Sequence, residues 1–246
     1  MEPIYTQSFE ITGNCVDRYG RLKTSMILYF VQEVAGKHFD VISMDYDALA
    51  SKGMIWAIIR QRVQITRLPS RGETIRLETW PMPTTRVAYP RSVVAYDEAG
   101  SEVFRSISIW VLMDIHSRSM ILPGKSGISV VGTLRGNELA VPPSLTPRVL
   151  QNERCRPVCF TDLDRNGHMN NTRYMEWIDD LLPSAFHQAK VPHEFTVCYL
   201  SEAREGQELE FTWDFLEDGW IQVEATRQKG SSEGTERVFA AKLLYE

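Results

Sequence analysis

One short segment of the chain concentrates side chains that can move protons and polarise a carbonyl group. It reads DRNGHMNN from Asp164 to Asn171 and lies directly ahead of a helical pattern. Asp, Asn and Gly are typical of a turn followed by a helix N-cap, and this interpretation accounts for most of the segment. A turn does not require an imidazole, so this interpretation leaves His168 unexplained. A carboxylate, an amide and an imidazole in one loop are also a set that acid–base chemistry can use, and the residues alone leave both interpretations open.

Motifs that would point to a different chemistry are missing from the sequence. There is no Gly-x-Ser-x-Gly elbow of a serine hydrolase, no phosphate-binding loop and no dinucleotide-binding fingerprint. The four cysteines, Cys15, Cys155, Cys159 and Cys198, fit no zinc-binding spacing and are interpreted as free, reduced thiols. We therefore expect neither a metal nor another cofactor.

The composition is that of an ordinary globular protein and narrows the class further. With 246 residues, 43% of them apolar, the chain can form one large domain or two small ones. A net charge of −5 argues against a nucleic-acid-binding protein, which usually shows a basic surplus. No apolar run reaches twenty residues, and the first residues lack the pattern of a signal peptide. The expectation is a soluble, cytoplasmic protein without a membrane span.

The two halves of the chain repeat one pattern of elements. DRYG at residues 17–20 corresponds to DRNG at residues 164–167. An apolar helical stripe follows each of these segments and predicts helices at about 24–37 and 172–182. Four strand patterns separated by turn residues follow each helix. These strands are predicted at residues 54–68, 73–82, 87–97 and 102–113, and at residues 194–202, 208–216, 220–227 and 237–245.

Two copies of one unit imply two similar domains that arose by duplication. The predicted domains are residues 1–135 and 150–246, and a cluster of glycines and prolines at 122–150 marks the linker. Strands joined by short turns form an antiparallel sheet, against which a helix can bury its apolar stripe. The predicted fold class is α+β, a tandem hot-dog with a long helix wrapped by a curved antiparallel sheet in each domain. The pattern alone also allows two ferredoxin-like or other α+β sandwiches.

The polar segment and several first-half strands together resemble a known family. Asp164-x-Asn166-x-His168-x-Asn170-Asn171, followed by Tyr174 and Trp177, is similar to the segment that marks plant and bacterial acyl-acyl carrier protein (acyl-ACP) thioesterases. The resemblance extends through the first domain and covers most of the chain. Its first-domain residues are Ile55-Trp56, Arg60, Val63-Gln64, Arg67, Pro69, Gly72, Thr79-Trp80 and Trp110-Val111-Leu112-Met113.

The resemblance implies a hydrolase that cleaves the thioester of fatty acyl-ACP, releases a free fatty acid and ends chain elongation. Asp164, Asn166, His168 and Glu202 occupy the family's catalytic positions. Either carboxylate can act as nucleophile or as general base, and the loop ahead of the helix can supply N–H donors for the oxyanion. Ala203 stands where plant members carry a cysteine, which disfavours a thiolate nucleophile.

The first repeat keeps an aspartate at the position of Asp164 but carries other residue types at the remaining three positions. Tyr19 and Arg21 correspond to Asn166 and His168, and Leu68 corresponds to Glu202. The first domain is therefore expected to hold the acyl chain in an apolar pocket. Candidate walls of this pocket are Met26, Phe30, Ile58, Trp80 and Trp110.

The partner implied by the resemblance is an acyl carrier protein bearing a fatty acyl chain, and a homodimer is one candidate assembly. Carrier proteins are acidic and this chain is net negative, so local arginines are expected to make the contact. Arg165, Arg173 and Arg204 flank the candidate catalytic residues. Two alternatives stay open: an acyl-CoA thioesterase of the same fold, and a non-catalytic acyl-binding hot-dog module.

Overall fold

A computed structural model describes residues 4–229 and 234–246 of the chain. The chain forms two compact units, Met1–Pro142 and Pro143–Glu246, and the boundary between them falls inside the predicted linker segment. Each unit is built on an antiparallel sheet and a helix, as the repeated pattern predicts. Within the described ranges, no helix is both long enough and apolar enough to cross a membrane.

Unit 1 consists of one long helix packed on an antiparallel sheet. Its elements are β1 (Tyr5–Glu10), α1 (Thr24–Val41), α2 (Tyr46–Ala50), β2 (Met54–Ile65), β3 (Thr74–Pro81), β4 (Tyr89–Tyr96), β5 (Glu102–Asp114), β6 (Met120–Ile121) and α3 (Pro123–Ser126). The strand order is β1-β3-β4-β5-β2, and β6 pairs with β5. The predicted apolar stripe of α1, including Ile27, Phe30 and Val34, is buried. Burial of this stripe stabilises the helix on the sheet.

Different segments of the chain pack on the two faces of the unit 1 sheet. On one face, Phe39 of α1 stacks on Trp56 and meets Trp110 edge-on. On the other face, an apolar cluster around Ile109 packs against Leu139 of the segment that follows α3. Each face therefore has its own apolar layer.

Unit 2 repeats this arrangement. Its elements are β7 (Asn152–Pro157), α4 (Arg173–Asp179), α5 (Ser184–Ala189), β8 (Pro192–Tyr199), β9 (Glu208–Phe215), β10 (Trp220–Gln228) and β11 (Thr235–Tyr245). The strand order is β8-β11-β10-β9-β7. Tyr174 of α4 stacks on Phe239 with ring centroids 4.5 Å apart, and Trp177 packs on Phe211 at 5.5 Å. The helix thus covers the corresponding face of the sheet.

The helix of unit 2 is shorter than the sequence predicts. The predicted helix extends to about residue 182, whereas α4 ends at Asp179. Pro183 does end the helical pattern, but it also serves as the N-cap of the short helix α5. A proline is tolerated at the start of a helix because no intrahelical partner is lost there. The long helix expected in each domain is therefore present only in unit 1.

Three strands, β1, β7 and the two-residue β6, lie where the sequence pattern predicts none. β7 is almost entirely exposed and lies at the end of the strand order beside β9, so its sequence shows no apolar alternation. β1 pairs with β3 and alternates between exposed and half-buried residues. The remaining long strands, β2–β5 and β8–β11, lie at the predicted positions to within a few residues. Edge strands are the elements whose sequence signal is weakest.

Candidate active site

The polar loop (residues 164–171) is organised by the carboxylate of Asp164. Its Oδ1 accepts hydrogen bonds from the backbone N–H groups of Asn166 (2.8 Å) and His168 (3.3 Å). Its Oδ2 lies 3.4 Å from the side-chain amide nitrogen of Asn166. Gly167 has a φ of 74°, in the left-handed region that a residue without Cβ adopts without strain. The loop therefore fixes the backbone positions from which the side chains of Asn166 and His168 extend.

The same loop occurs in unit 1 around Asp17. Oδ1 of Asp17 accepts from the backbone N–H groups of Tyr19 (2.8 Å) and Arg21 (3.0 Å). Gly20 has a φ of 78°, and the N–H of Asp17 donates to the carbonyl of Arg21 at 2.8 Å, as in the polar loop. The loop is thus a structural element of both repeats, which differ in the side chains placed on it.

In unit 2 the loop brings His168 to Glu202. Nε2 of His168 lies 3.1 Å from Oε2 of Glu202, and the two side chains are 14% and 33% exposed. The backbone N–H of Met169 donates to the carbonyl of Ala203 at 2.8 Å, which joins the two segments directly beside the pair. An imidazole and a carboxylate at this distance can exchange a proton, and both remain accessible to a substrate.

Unit 1 carries no such pair at the equivalent position. The backbone hydrogen bond that joins its two segments runs from Leu22 to Pro69 at 2.8 Å. Arg21 and Leu68 therefore stand where unit 2 has the imidazole and the carboxylate, as the sequence repeat predicts. Arg21 turns back onto Asp17 in an ion pair of 3.0 Å. A paired guanidinium and an aliphatic side chain cannot act as an acid–base pair at neutral pH.

Most backbone N–H groups of the polar loop are already engaged. Each N–H from 166 to 170 donates to an oxygen of the loop or of adjoining backbone. In the part of the chain that the structure describes, the N–H of Asn171 makes no such bond, while its carbonyl accepts from the hydroxyl of Tyr199 at 3.1 Å. The set of oxyanion donors expected from the loop is therefore reduced to the Asn171 N–H and the Asn166 amide.

Two models of protein families match the chain, and together they cover most of it. The acyl-ACP thioesterase N-terminal domain matches residues 2–122, and the acyl-ACP thioesterase C-terminal domain matches residues 150–240. The chain belongs to the acyl-ACP thioesterase family.

Plant relatives resemble this acyl-ACP thioesterase family member over most of its length. The chloroplastic palmitoyl-acyl carrier protein thioesterase of Gossypium hirsutum is 24% identical over 220 residues, which are 82% of this chain and 52% of the relative. The chloroplastic oleoyl-acyl carrier protein thioesterase of Coriandrum sativum is 26% identical over 208 residues, which are 74% of this chain and 53% of the relative. The chain thus spans about half the length of the curated relatives it matches.

Solved structures of the family share the fold over the whole chain. An acyl-ACP thioesterase from Bacteroides thetaiotaomicron has a TM-score of 0.89 at 24% identity and covers 99% of this chain and 98% of its own. The 12:0-ACP thioesterase from Umbellularia californica has a TM-score of 0.84 at 18% identity, with coverages of 100% and 98%. At these identities the likeness shows the fold, and it confirms the α+β tandem hot-dog class.

The chain holds its Glu202 segment with a guanidinium that sequence analysis did not identify. Arg227 donates from Nη1 to the backbone carbonyl of Glu202 and to Oε1 of Gln207 (2.8 Å), and from Nη2 to Oγ of Ser201 (2.9 Å). Glu236 accepts from Nε and Nη2 of the same guanidinium, which lowers the pKa of Glu236. No sequence signal marks Arg227, because a backbone carbonyl as partner leaves no pattern of residue types.

Unit 1 joins the same segments with different residues. Arg67 pairs with Glu73 (2.7 Å) and Asp97 (2.9 Å). Equivalent backbone bonds and strand registers place Ser201 at the position of Arg67, and Arg227 at that of Asp97. The arginine therefore stands on a different segment in each repeat. Arg67 lies just after β2, and Arg227 lies on β10. The guanidinium of unit 2 holds the carbonyl of Glu202.

The four thiols differ in their burial. Cys198 is buried on β8, where its Sγ lies 3.9 Å from the carbonyl oxygen of Pro143. Its neighbour Tyr199 points to the opposite face of the sheet and packs on Tyr174. Cys15 is buried in unit 1, and Cys155 and Cys159 are exposed. Among the described residues, no cluster of three or more His, Cys, Asp or Glu could hold a metal ion.

The residues predicted to line an acyl pocket do not share one face. Met26 and Phe30 belong to α1, and Ile58 pairs with Trp110 on the sheet face that α1 covers. Trp80 lies on the opposite face, where its indole N–H points to the segment after α3. Trp80 therefore cannot line a pocket together with the other four, because strand residues of opposite parity point to opposite faces.

The three arginines predicted to contact a carrier protein differ in their surroundings. Arg165 and Arg204 are exposed. Arg173 is half-buried, pairs with Glu176 and donates to the carbonyl of Thr161 at 2.9 Å. Arg173 thus stabilises the start of α4, and the two exposed arginines are better placed to meet a partner.

Proposed function

We propose that this chain hydrolyses the thioester bond of a fatty acyl group carried by ACP, releasing a free fatty acid and ending chain elongation. The observation that carries the proposal is the contact of His168 with Glu202, whose side-chain atoms lie 3.1 Å apart. Unit 1 repeats the loop beneath this pair without either residue, so the fold does not require the pair. The acyl-ACP thioesterases among its relatives support this class of substrate.

Glu202 acts in this proposal as the general base. His168 donates its Nε2–H to one carboxylate oxygen of Glu202 and leaves the other oxygen to accept a proton from water. The water oxygen bonds to the carbonyl carbon, and the carbon–sulfur bond then breaks. The proton taken from water passes through the pair to the departing thiolate, so the products are a carboxylic acid and a thiol. Thiolates leave readily, and no strong acid is required.

Asp164 has a positioning role in the same proposal. Its Oδ1 holds two backbone N–H groups, and Asp17 does the same in a repeat without an acid–base pair. A carboxylate that organises the loop in both repeats is explained without a chemical step. Its task is to aim His168 and Asn166.

The oxyanion of the tetrahedral intermediate needs hydrogen-bond donors in this scheme. The backbone N–H of Asn171 is available, and the Asn166 side chain offers amide hydrogens from an exposed position. Removal of one such donor in other hydrolases slows turnover by about a hundredfold to a thousandfold. Asn166→Ala is therefore expected to lower kcat by about a hundredfold.

The acyl chain is assigned to the interior of unit 1 between α1 and the sheet. Phe30, Ile58 and Trp110 present apolar surface there, and Met26 lies on the same helix. Apolar walls with few polar groups are the usual lining of a pocket for an aliphatic ligand.

Release of free thiol from acyl-ACP and from acyl-CoA, compared over several chain lengths, tests the function. We expect a higher kcat/KM for acyl-ACP, and a loss of about a hundredfold or more in a folded His168→Ala variant. Equal kcat/KM values for the two carriers would make the chain an acyl-CoA thioesterase. Acyl binding without turnover of either carrier would make it a non-catalytic acyl-binding module.

Recognition of the acidic carrier is assigned to exposed arginines near the pair. Arg165→Glu and Arg204→Glu should raise KM for acyl-ACP, leave hydrolysis of an acyl-pantetheine unchanged and flatten the salt dependence. Arg18→Glu is the matched control, because Arg18 is the exposed unit 1 counterpart of Arg165. If Arg18→Glu and Arg165→Glu have equal effects, net charge rather than a local contact governs binding.

The location and the assembly of the protein remain predictions. A cytoplasmic location is to be tested by cell fractionation. The homodimer is to be tested by light scattering across a range of protein concentrations, because a dissociable dimer has a concentration-dependent mass.

A further inference from the structure

Five buried polar side chains lie on the face of the unit 1 sheet that α1 covers. Each is at most 2% exposed. The strand registers place three of them in one row across β2, β5 and β4, and the other two in the next row on the same face. They are Gln61, Thr79, Arg91, Ser106 and Ser108.

Unit 2 fills the same positions with apolar side chains. Both sheets have a register shift at the equivalent point of β4–β5 and β10–β11, so the two registers can be matched residue by residue. The counterparts of Gln61, Thr79, Arg91, Ser106 and Ser108 are, in this order, Phe195, Trp213, Ile221, Ala241 and Leu243. The hot-dog fold therefore does not require polar groups on this face, and their presence in unit 1 calls for another explanation.

Arg91 is the group whose burial most requires a partner. Its Nη1 lies 3.1 Å from Oγ1 of Thr79 and 3.0 Å from Nδ1 of His38, and its guanidinium carbon lies 4.5 Å from the ring centre of Phe39. Its Nη2 is buried and has no hydrogen-bond partner among the described residues. No carboxylate in residues 4–229 and 234–246 pairs with the guanidinium, and burial lowers the pKa of Arg91 to about 9. A buried cation without a counter-charge destabilises the folded chain. A ligand that pairs with the guanidinium would offset this cost and would give Arg91 a role.

Further aromatic rings adjoin the Phe39 ring that contacts this cation. Trp56 stacks on Phe39 at 4.8 Å, and Tyr89 meets Trp56 edge-on at 5.0 Å. Trp110 meets Phe39 edge-on at 5.4 Å. An apolar wall with one cationic donor suits an aliphatic ligand that carries one oxygen acceptor, because the chain packs on the rings and the oxygen pairs with the guanidinium.

We infer that the α1-covered face of the unit 1 sheet binds an aliphatic chain bearing an oxygen acceptor, which accepts a hydrogen bond from Nη2 of Arg91. Two sources can deliver this chemistry. One is the carboxylate of a free fatty acid, and the other is a hydroxyl or oxo group along an acyl chain. The inference rests on the proposed assignment of the acyl chain to unit 1 and adds a polar contact to that site, but its test needs no turnover.

Binding of three matched ligands to the full chain tests the inference. The ligands are dodecanoate, methyl 12-hydroxydodecanoate and methyl dodecanoate, each below its micelle concentration, with affinity measured by calorimetry. We expect dodecanoate or the hydroxy ester to bind about tenfold or more tightly than methyl dodecanoate, because an unpaired buried donor discriminates against a ligand without an acceptor. Preference for dodecanoate identifies the fatty acid as the source, and preference for the hydroxy ester identifies a substituted acyl chain.

Variants at Arg91 locate the preference. Arg91→Ile installs the side chain found at the unit 2 counterpart, and Arg91→Met provides an unbranched alternative. Both should bind all three ligands equally, and the midpoint of thermal unfolding without ligand should stay the same or rise. Arg76→Ile, which removes a half-buried arginine of the same sheet, should keep the preference.

Three outcomes would overturn the inference. The unmodified chain could bind the three ligands equally. The preference could persist in a folded Arg91→Ile or Arg91→Met variant, which would place the site elsewhere. Failure of both variants to fold would make the guanidinium a structural element. None of these outcomes bears on thioester hydrolysis, which the thiol-release assay tests separately.

Discussion

Replacement of Asp164 separates a positioning carboxylate from a reacting one. In Asp164→Asn, the side-chain amide oxygen can still accept from the backbone N–H groups of Asn166 and His168, but the negative charge is gone. In Asp164→Ala both hydrogen bonds are lost. If Glu202 is the general base and Asp164 only aims the loop, Asp164→Asn should keep kcat within about tenfold of the unmodified chain. Glu202→Gln should lose about a hundredfold to a thousandfold.

The magnitude of the structural effect follows from the hydrogen bonds. Asp164→Ala removes bonds of 2.8 and 3.3 Å, and Asp17→Ala removes the equivalent bonds of 2.8 and 3.0 Å in unit 1. Hydrogen bonds to a charged group contribute about 1.5–3 kcal/mol each when well formed, so the loss of two of them sets an upper bound of about 3–6 kcal/mol of unfolding free energy for each alanine variant. Asp164→Asn keeps neutral hydrogen bonds and should lose about 1 kcal/mol.

The assay combines urea unfolding with steady-state hydrolysis of one acyl-ACP substrate. Asp17→Ala and Asp17→Asn are the matched controls, because they alter the same loop in the repeat that lacks the His168–Glu202 contact. Both should keep kcat although Asp17→Ala, which also loses the ion pair with Arg21, is destabilised at least as much as Asp164→Ala. Intact-mass measurement of the asparagine and glutamine variants excludes reversion by deamidation.

The decisive comparison is between Asp164→Asn and Glu202→Gln. A folded Asp164→Asn that loses a hundredfold or more in kcat would refute the positioning role and make Asp164 the nucleophile or the base. Near-normal turnover of Glu202→Gln would refute the general-base role instead. The two parts of the mechanism are therefore tested independently.

Three further predictions follow from the same geometry. Arg227→Met should lower kcat about tenfold or more at nearly unchanged KM, because it removes the hydrogen bond that holds the backbone of Glu202, the proposed general base, whereas Arg67→Met should not; equal kinetics of the two variants would contradict the role of Arg227. Replacement of all four cysteines should leave turnover intact, and its loss in a folded Cys198→Ser variant would revive a thiolate mechanism. Smaller or larger side chains at Phe30 or Ile58 should change the ratio of chain lengths among the released fatty acids about tenfold, because each methylene in an apolar pocket contributes about 1–3 kcal/mol. Gas chromatography of the products measures the shift, and an unchanged profile would place the pocket elsewhere.

The local pattern of the sequence determined the repeat, the eight long strands and the polar loop. Turn residues such as Gly20 and Gly167 mark positive φ angles, and alternation marks strands, because both are properties of neighbouring residues. The resemblance to a family added Glu202, which no local pattern separates from an ordinary surface glutamate. Edge strand β7 and the early end of α4 escaped prediction because their residues carry no distinct period.

Only the tertiary structure brought distant parts of the chain together. The contact of His168 with Glu202, and the hold of Arg227 on the same segment, depend on strand register and not on spacing. The face on which Trp80 lies is likewise set by the register of β3.

The polar face of unit 1 shows the limit of sequence reasoning most clearly. Serine, glutamine and arginine on a strand are typical of an exposed face, yet Ser108, Gln61 and Arg91 are buried under α1. A side chain's environment depends on what packs over it, and the helix that covers these strands lies far from β4 and β5 in the chain. The sequence therefore showed which residues occur on these strands, and the fold decided that a cation is buried among aromatic rings.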